Sequence, residues 1–225
     1  LNHLGQPVWA NQWGAGGTDR IDVVTMDRDQ NVVVGDYCFN SFEIQGNFVS
    51  CNGYGNGITY RLNSQYQIFD FRHLQSTRTL NLQFLDVDGE NHLIVGLESV
   101  QASNINIGVP IVSTGRTLIL AKYQLGQAEP LWHKVFAATN ILNLTKSVIN
   151  TLDNSIVIAG GYMGSVNLGG SDNLPVPNGT SGFLVMYDKD GNFLWNRQLG
   201  DGPSAGDRVI NIAASPSGML GVTGY

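Results

Sequence analysis

Three features of the 225-residue chain predict an all-β fold assembled from a repeated antiparallel unit. Apolar residues alternate with period two through most of the chain, and turn signals recur roughly every ten residues. One pattern is also written four times, about 62 residues apart: Trp9, Phe69, Trp132 and Trp195 open the units, and Gly35, Gly96, Gly160 and Gly224 close an apolar strand within each. A repeat of this length is one supersecondary unit that needs its neighbours to bury its faces. The units run over 9–68, 69–131, 132–194 and 195–225, within a single region 1–225.

Each element follows from local chemistry. Residues 20–26, the turn Asp27-Arg28-Asp29-Gln30 and residues 31–35 read as a β-hairpin. Its counterparts are 80–96 around Asp86-Val87-Asp88-Gly89, 141–160 around Leu152-Asp153-Asn154, and 209–224 around Ser215-Pro216-Ser217-Gly218. A second hairpin follows each of the first three. It begins at 58–62, 118–123 or 183–187, and its last strand carries Phe69, Trp132 or Trp195. Between the hairpins sit short pieces: Phe42-Glu43-Ile44, Ile105-Asn106-Ile107 and Val166-Asn167-Leu168.

Two hairpins per repeat make a four-stranded antiparallel blade, and radial repetition of blades is the β-propeller's answer to exposed sheet edges. One outer strand, three full blades and two final strands give 15 strands, or about 3.75 blades of a partial ring. The flat edge ending in Val222-Thr223-Gly224 is expected to find its partner in the remainder of the same polypeptide or in another chain.

Composition bounds the function. The net charge is −6, and no run of Lys or Arg exceeds one residue, so nucleic acid and anionic membrane surfaces are poor partners. No apolar stretch is long enough to span a bilayer, so no membrane insertion is expected. Cys38 and Cys51 bracket a loop. A disulfide there would contribute roughly 3 kcal/mol in the loop-entropy picture, with two buried free thiols as the alternative. The polar, Lys-poor composition favours the disulfide and an extracytoplasmic location, secreted or at the cell surface.

Sites of chemistry are sparse. In the acidic turns 86–91 and 188–192 glycine falls fourth and no late Glu follows, so they read as Asp-capped turns with glycine at positive φ and not as calcium loops. The glycine-rich segment 53–57 lacks the Lys-Ser/Thr of a phosphate cradle, and His3, His73, His92 and His133 have no metal-ligand spacing. With no nucleophile motif either, the expectation is a non-enzymatic chain with no metal and no cofactor. The aromatic row Trp9, Trp13, Phe69, Trp132, Phe136 and Trp195 reads as packing between repeats, and as a sugar platform only secondarily. Asn143 and Asn178 lie in glycosylation sequons. Asp22, Asn81, Asn143 and Asn211, aligned at one place in each first strand, are expected to form a water-binding ring facing a central channel.

The third unit, residues 182–195 with Tyr187-Asp188-Lys189-Asp190-Gly191 and Trp195, resembles the bacterial SBBP-type propeller repeat, and the resemblance covers nearly the whole chain. It is interrupted where Phe69 replaces Trp, at His73 and Gln75, and where Ser215 replaces Asp. What it implies is an exported propeller protein with a role in surface assembly or adhesion. Two other functions are kept in view: a carbohydrate-binding or glycan-processing propeller, and an accessory propeller domain of a larger enzyme such as a quinoprotein-like dehydrogenase.

Overall fold

The computed structural model describes residues 4, 6, 9–10, 12–14, 19–101, 103–137, 142–170, 173–200 and 206–225. His3 lies outside them. The described residues form sixteen strands and no helix, and every strand pairing is antiparallel.

The first sheet is the meander β1 (Arg20–Met26), β2 (Val32–Ile44), β3 (Asn47–Leu62) and β4 (Ile68–Ser76). The second joins β5 (Leu80–Val87) and β6 (Leu93–Ser99) to β9 (Thr117–Tyr123) and β10 (Trp132–Ala137). Between them comes a small hairpin, β7 (Ser103–Asn106) and β8 (Pro110–Ser113). The third is β11 (Leu142–Ile149), β12 (Ile156–Tyr162), β13 (Ser181–Tyr187) and β14 (Phe193–Leu199); the fourth holds only β15 (Val209–Ala214) and β16 (Leu220–Gly224). The small hairpin leaves its own sheet and pairs with the first, through Gln75↔Asn106 and Ser76↔Ile105. It therefore straps the two sheets together. The strand expected at Trp9 is not seen: residues 9–10 and 12–14 are irregular.

Apolar faces hold the sheets against one another. Val33 and Leu74 pack with Leu82, Leu85 and Val95 between the first and second sheets; Phe84, Ile94 and Phe136 pack with Leu144, Ile158 and Phe183 between the second and third; Val157 and Leu184 pack with Val209 and Ile212 between the third and fourth. The second strand of each full sheet is thus apolar on both faces, which is why it reads as a continuous run. Each fully buried Ile or Leu there contributes about 1.5–3 kcal/mol. Glycine recurs in these strands because the neighbours come too close for a side chain: a Cβ on Gly35 would collide with Leu82, and one on Gly96 with Phe84.

The remaining face of the first sheet carries Val34, Cys38, Ile58 and Tyr60, with Trp13 against it. Here β2 and β3 run past the sheet as one long hairpin, and the Cys38–Cys51 disulfide joins its two strands at a Cα separation of 6.1 Å. Among the described residues no helix is long and apolar enough to cross a membrane.

Turns are capped by one device. Asp27, Asp88 and Asp188 each accept backbone N–H bonds from the residues two and four positions on, which occupies the carboxylate locally. The residue three after the Asp takes positive φ: Gln30 (65°), Asn91 (63°) and Gly191 (84°). The expectation that Gly89 supplies positive φ is therefore corrected. The second turn opens at Asp88 and not at Asp86, so Asn91 fills that place, and Gly89 instead donates its N–H to Asn154 Oδ1 at 2.8 Å.

Candidate functional site

The first strands of the four sheets lie side by side, β1 against β5, β5 against β11 and β11 against β15. Together they line a cavity of about 630 Å³, through residues 22–25, 83–86, 145–148 and 212–214. The first three windows stand at the same distance from the opening residue of the following turn, Asp27, Asp88 or Asn150. Every first strand also carries a β-bulge, at Asp22, Gln83, Thr145 and Ile210, and each bulged residue lies five before its turn's first residue. A bulge leaves one residue unpaired and shifts which face its successors present.

These bulges change the expected ring. Asp22 is a bulged residue and lies in the cavity wall, whereas Asn81, Asn143 and Asn211 do not line it. Asn81 pairs opposite Glu98; Asn143 Oδ1 accepts the Gly161 N–H at 2.9 Å; Asn211 is exposed and accepts the N–H of Ile212 at 3.0 Å. The four do not occupy equivalent positions. Counting by alternation misses a bulge, and aligning on the first turn residue would have placed Gln83 and Thr145, not Asn81 and Asn143, beside Asp22.

The cavity wall is mixed in character. Asp22 Oδ1 pairs with Arg20 Nε at 2.5 Å, while its Oδ2 is buried with no hydrogen bond among the described residues. Burial raises the Asp86 carboxyl to about 6, opposed by hydrogen bonds from the Val87 N–H and Ser147 and by the Lys146 charge. Behind β1, Asp36 is raised to about 7, chiefly by burial and then by the charges of Asp19 and Asp22. None of His73, His92 and His133 reaches the wall. The wall offers carboxylates, hydroxyls and one lysine, a set suited to holding water or a polar group.

Two ionic latches hold the sheets around this cavity. Arg61, almost fully buried, donates to Asp27 Oδ2 at 3.0 Å and to the Asn91 carbonyl of the neighbouring sheet at 2.7 Å. Asp70 accepts Arg72 at 2.6 Å, and Arg72 reaches the Gln124 and Gln127 carbonyls. In the equivalent place of the second sheet Lys122 pairs with Asp88 at 2.7 Å and donates to the Lys189 carbonyl at 2.9 Å. Burial alone would raise Asp27 and Asp88; their hydrogen bonds and cations hold both below the usual carboxylate range.

The aromatic row divides. Phe136 is buried between sheets, and Trp132 and Trp195 are partly buried, but Phe69 is 43% exposed and Trp9 stacks on Tyr66 at 4.7 Å. Phe69 is itself the extra residue of a bulge, so Asp70, not Phe69, stands where Trp132 and Trp195 stand, paired across from Arg61 as they are from Lys122 and Met186. Of the two sequons, Asn143 is engaged within β11 and Asn178 is exposed. No protein-family model matches the chain, and no curated protein matches it.

Proposed function

We propose that the chain is a section of a β-propeller and serves as a non-enzymatic scaffold or adhesion module of an exported or cell-surface protein. The observation that carries this reading is the repetition around the cavity: three sheets present the same window of their first strands to one central space, and a fourth begins to do so. Radial repetition of meander sheets produces this arrangement. The disulfide favours an oxidising compartment, and the resemblance to the SBBP-type repeat points the same way.

The partner surface is the outer edge of the fourth sheet. Among the described residues strand β16 pairs only with β15, and Met219 and Val222 are exposed on and beside it. A two-stranded sheet is marginal by itself, and a free edge pairs with whatever strand is offered. Further strands, from the same polypeptide or another chain, would complete this blade and the ring.

Sedimentation of the purified chain over a wide concentration range tests the proposal. Edge-driven self-association that Val222→Lys abolishes is the expected result. A monomer at every concentration, unchanged by that substitution, would remove the open edge as the partner surface. Saturable binding on a glycan array would instead favour the carbohydrate-binding reading.

A further inference from the structure

The long hairpin of β2 and β3 has no counterpart of its length in the other sheets, and it brings together the one cluster of soft donors among the described residues. Cys38 Sγ, Cys51 Sγ and a ring nitrogen of His73 all lie within 4.8 Å of one another, with His73 Nε2 4.0 Å from Cys51 Sγ. We propose that, once the Cys38–Cys51 bond is reduced, these three atoms form a binding site for a thiophilic d10 cation, Zn2+ or Cu+.

The geometry and the chemistry agree. Ligand atoms around zinc, with bonds of about 2.0–2.3 Å, stand about 3.5 Å apart, a spacing these three reach with small side-chain rotations. Thiolates with imidazole are the donor set that selects zinc and monovalent copper over harder ions. Cys38 is fully buried and Cys51 nearly so, which shields the site from competing water. His73 is held from β4, opposite Ile58, with its ring partly buried against the two cysteines. Gln75 Nε2 lies 3.2 Å from His73 Nδ1; with the amide turned over, its oxygen accepts the Nδ1 proton and leaves the Nε2 lone pair facing the sulfurs.

The steps balance. A dithiol reductant supplies two electrons and two protons, breaks the Cys38–Cys51 bond and closes its own disulfide. The cation then displaces both thiol protons and forms two metal–sulfur bonds and one metal–nitrogen bond. In the reverse direction a small-molecule disulfide accepts the two electrons, takes two protons from solvent and leaves as two thiols, while the Cys38–Cys51 bond re-forms and the ion is released, so the hairpin is cross-linked in either state.

The test uses wild-type protein in two redox states. The chain is reduced with dithiothreitol, freed of reductant under argon, and titrated separately with Zn2+ and Cu+ against a chromophoric chelator for each. One equivalent bound by reduced protein, none by oxidised protein, and protection of both thiols from alkylation are expected. His73→Ala should weaken binding by more than tenfold, and Gln75→Ala by about tenfold, as for other partners that orient a ligand. The tighter of the two titrations identifies the ion. Reduced wild type that binds neither ion more tightly than a Cys38→Ser/Cys51→Ser variant would overturn the site. So would His73→Ala binding with wild-type affinity while its circular dichroism is unchanged.

Discussion

Tyr123 and Tyr187 occupy the same place in the third strand of their sheets, directly after Lys122 and Met186, where the first sheet has Leu62 after Arg61 and carries its tyrosine, Tyr60, two residues earlier. Tyr123 donates to the Ile107 carbonyl at 2.8 Å and Tyr187 to the Leu168 carbonyl at 2.5 Å, tying each short connecting piece to its sheet. Tyr60 OH, at its different position, is buried with no hydrogen-bond partner among the described residues. Removing a hydroxyl should therefore cost about 1 kcal/mol at Tyr123→Phe and Tyr187→Phe and nothing at Tyr60→Phe, read by urea denaturation. Asp36 provides a second residue-scale test. Its folded pKa of about 7 lies above the ordinary value of 3.8, so folding takes up a proton. The stability this group contributes is present below about pH 4 and lost as pH rises through 7. Asp36→Asn should raise the melting temperature at pH 8 by at least about 2 °C, the effect of 1 kcal/mol in a domain of this size, and change it less at pH 5.

Among the elements, strands and turns were legible because alternation and Asp-led turns are local signals. Hairpins at 20–35, 80–96 and 209–224 formed where expected. What alternation could not carry were the bulges at Asp22, Gln83, Thr145, Ile210 and Phe69, each a single extra residue that reverses the faces of its successors along the strand. They displaced the expected ring and put Asp70 in a tryptophan's place. The latches were hidden too, because they join residues distant in sequence. Their logic is readable within the repeat: Asp27 faces Arg61 and Asp88 faces Lys122, while the third sheet has Asn150 and Met186 at those positions. Lys122→Met alone strands a buried carboxylate and should cost about 3–5 kcal/mol. Adding Asp88→Asn should restore most of that loss, since it recreates the pair the third sheet already uses. A double-mutant cycle by thermal denaturation reads the coupling.

At the scale of the molecule, four sheets stack through three apolar layers, and burial falls toward the fourth. Strand β12 is buried along its whole length, whereas β16 is exposed over nearly all of its own. The first strands of the four sheets share one cavity, and the proposed open ring requires the outer edge of the fourth sheet to be uncovered. Amide hydrogen exchange on the purified chain, resolved by peptide, tests that claim most directly. Slow exchange in β6 and β12, with exchange in β16 faster by several orders of magnitude at concentrations where the chain is monomeric, is the predicted result. Amides of β16 as strongly protected as those of β12 in the monomer would mean that the edge is already paired, and the open-ring account would fail.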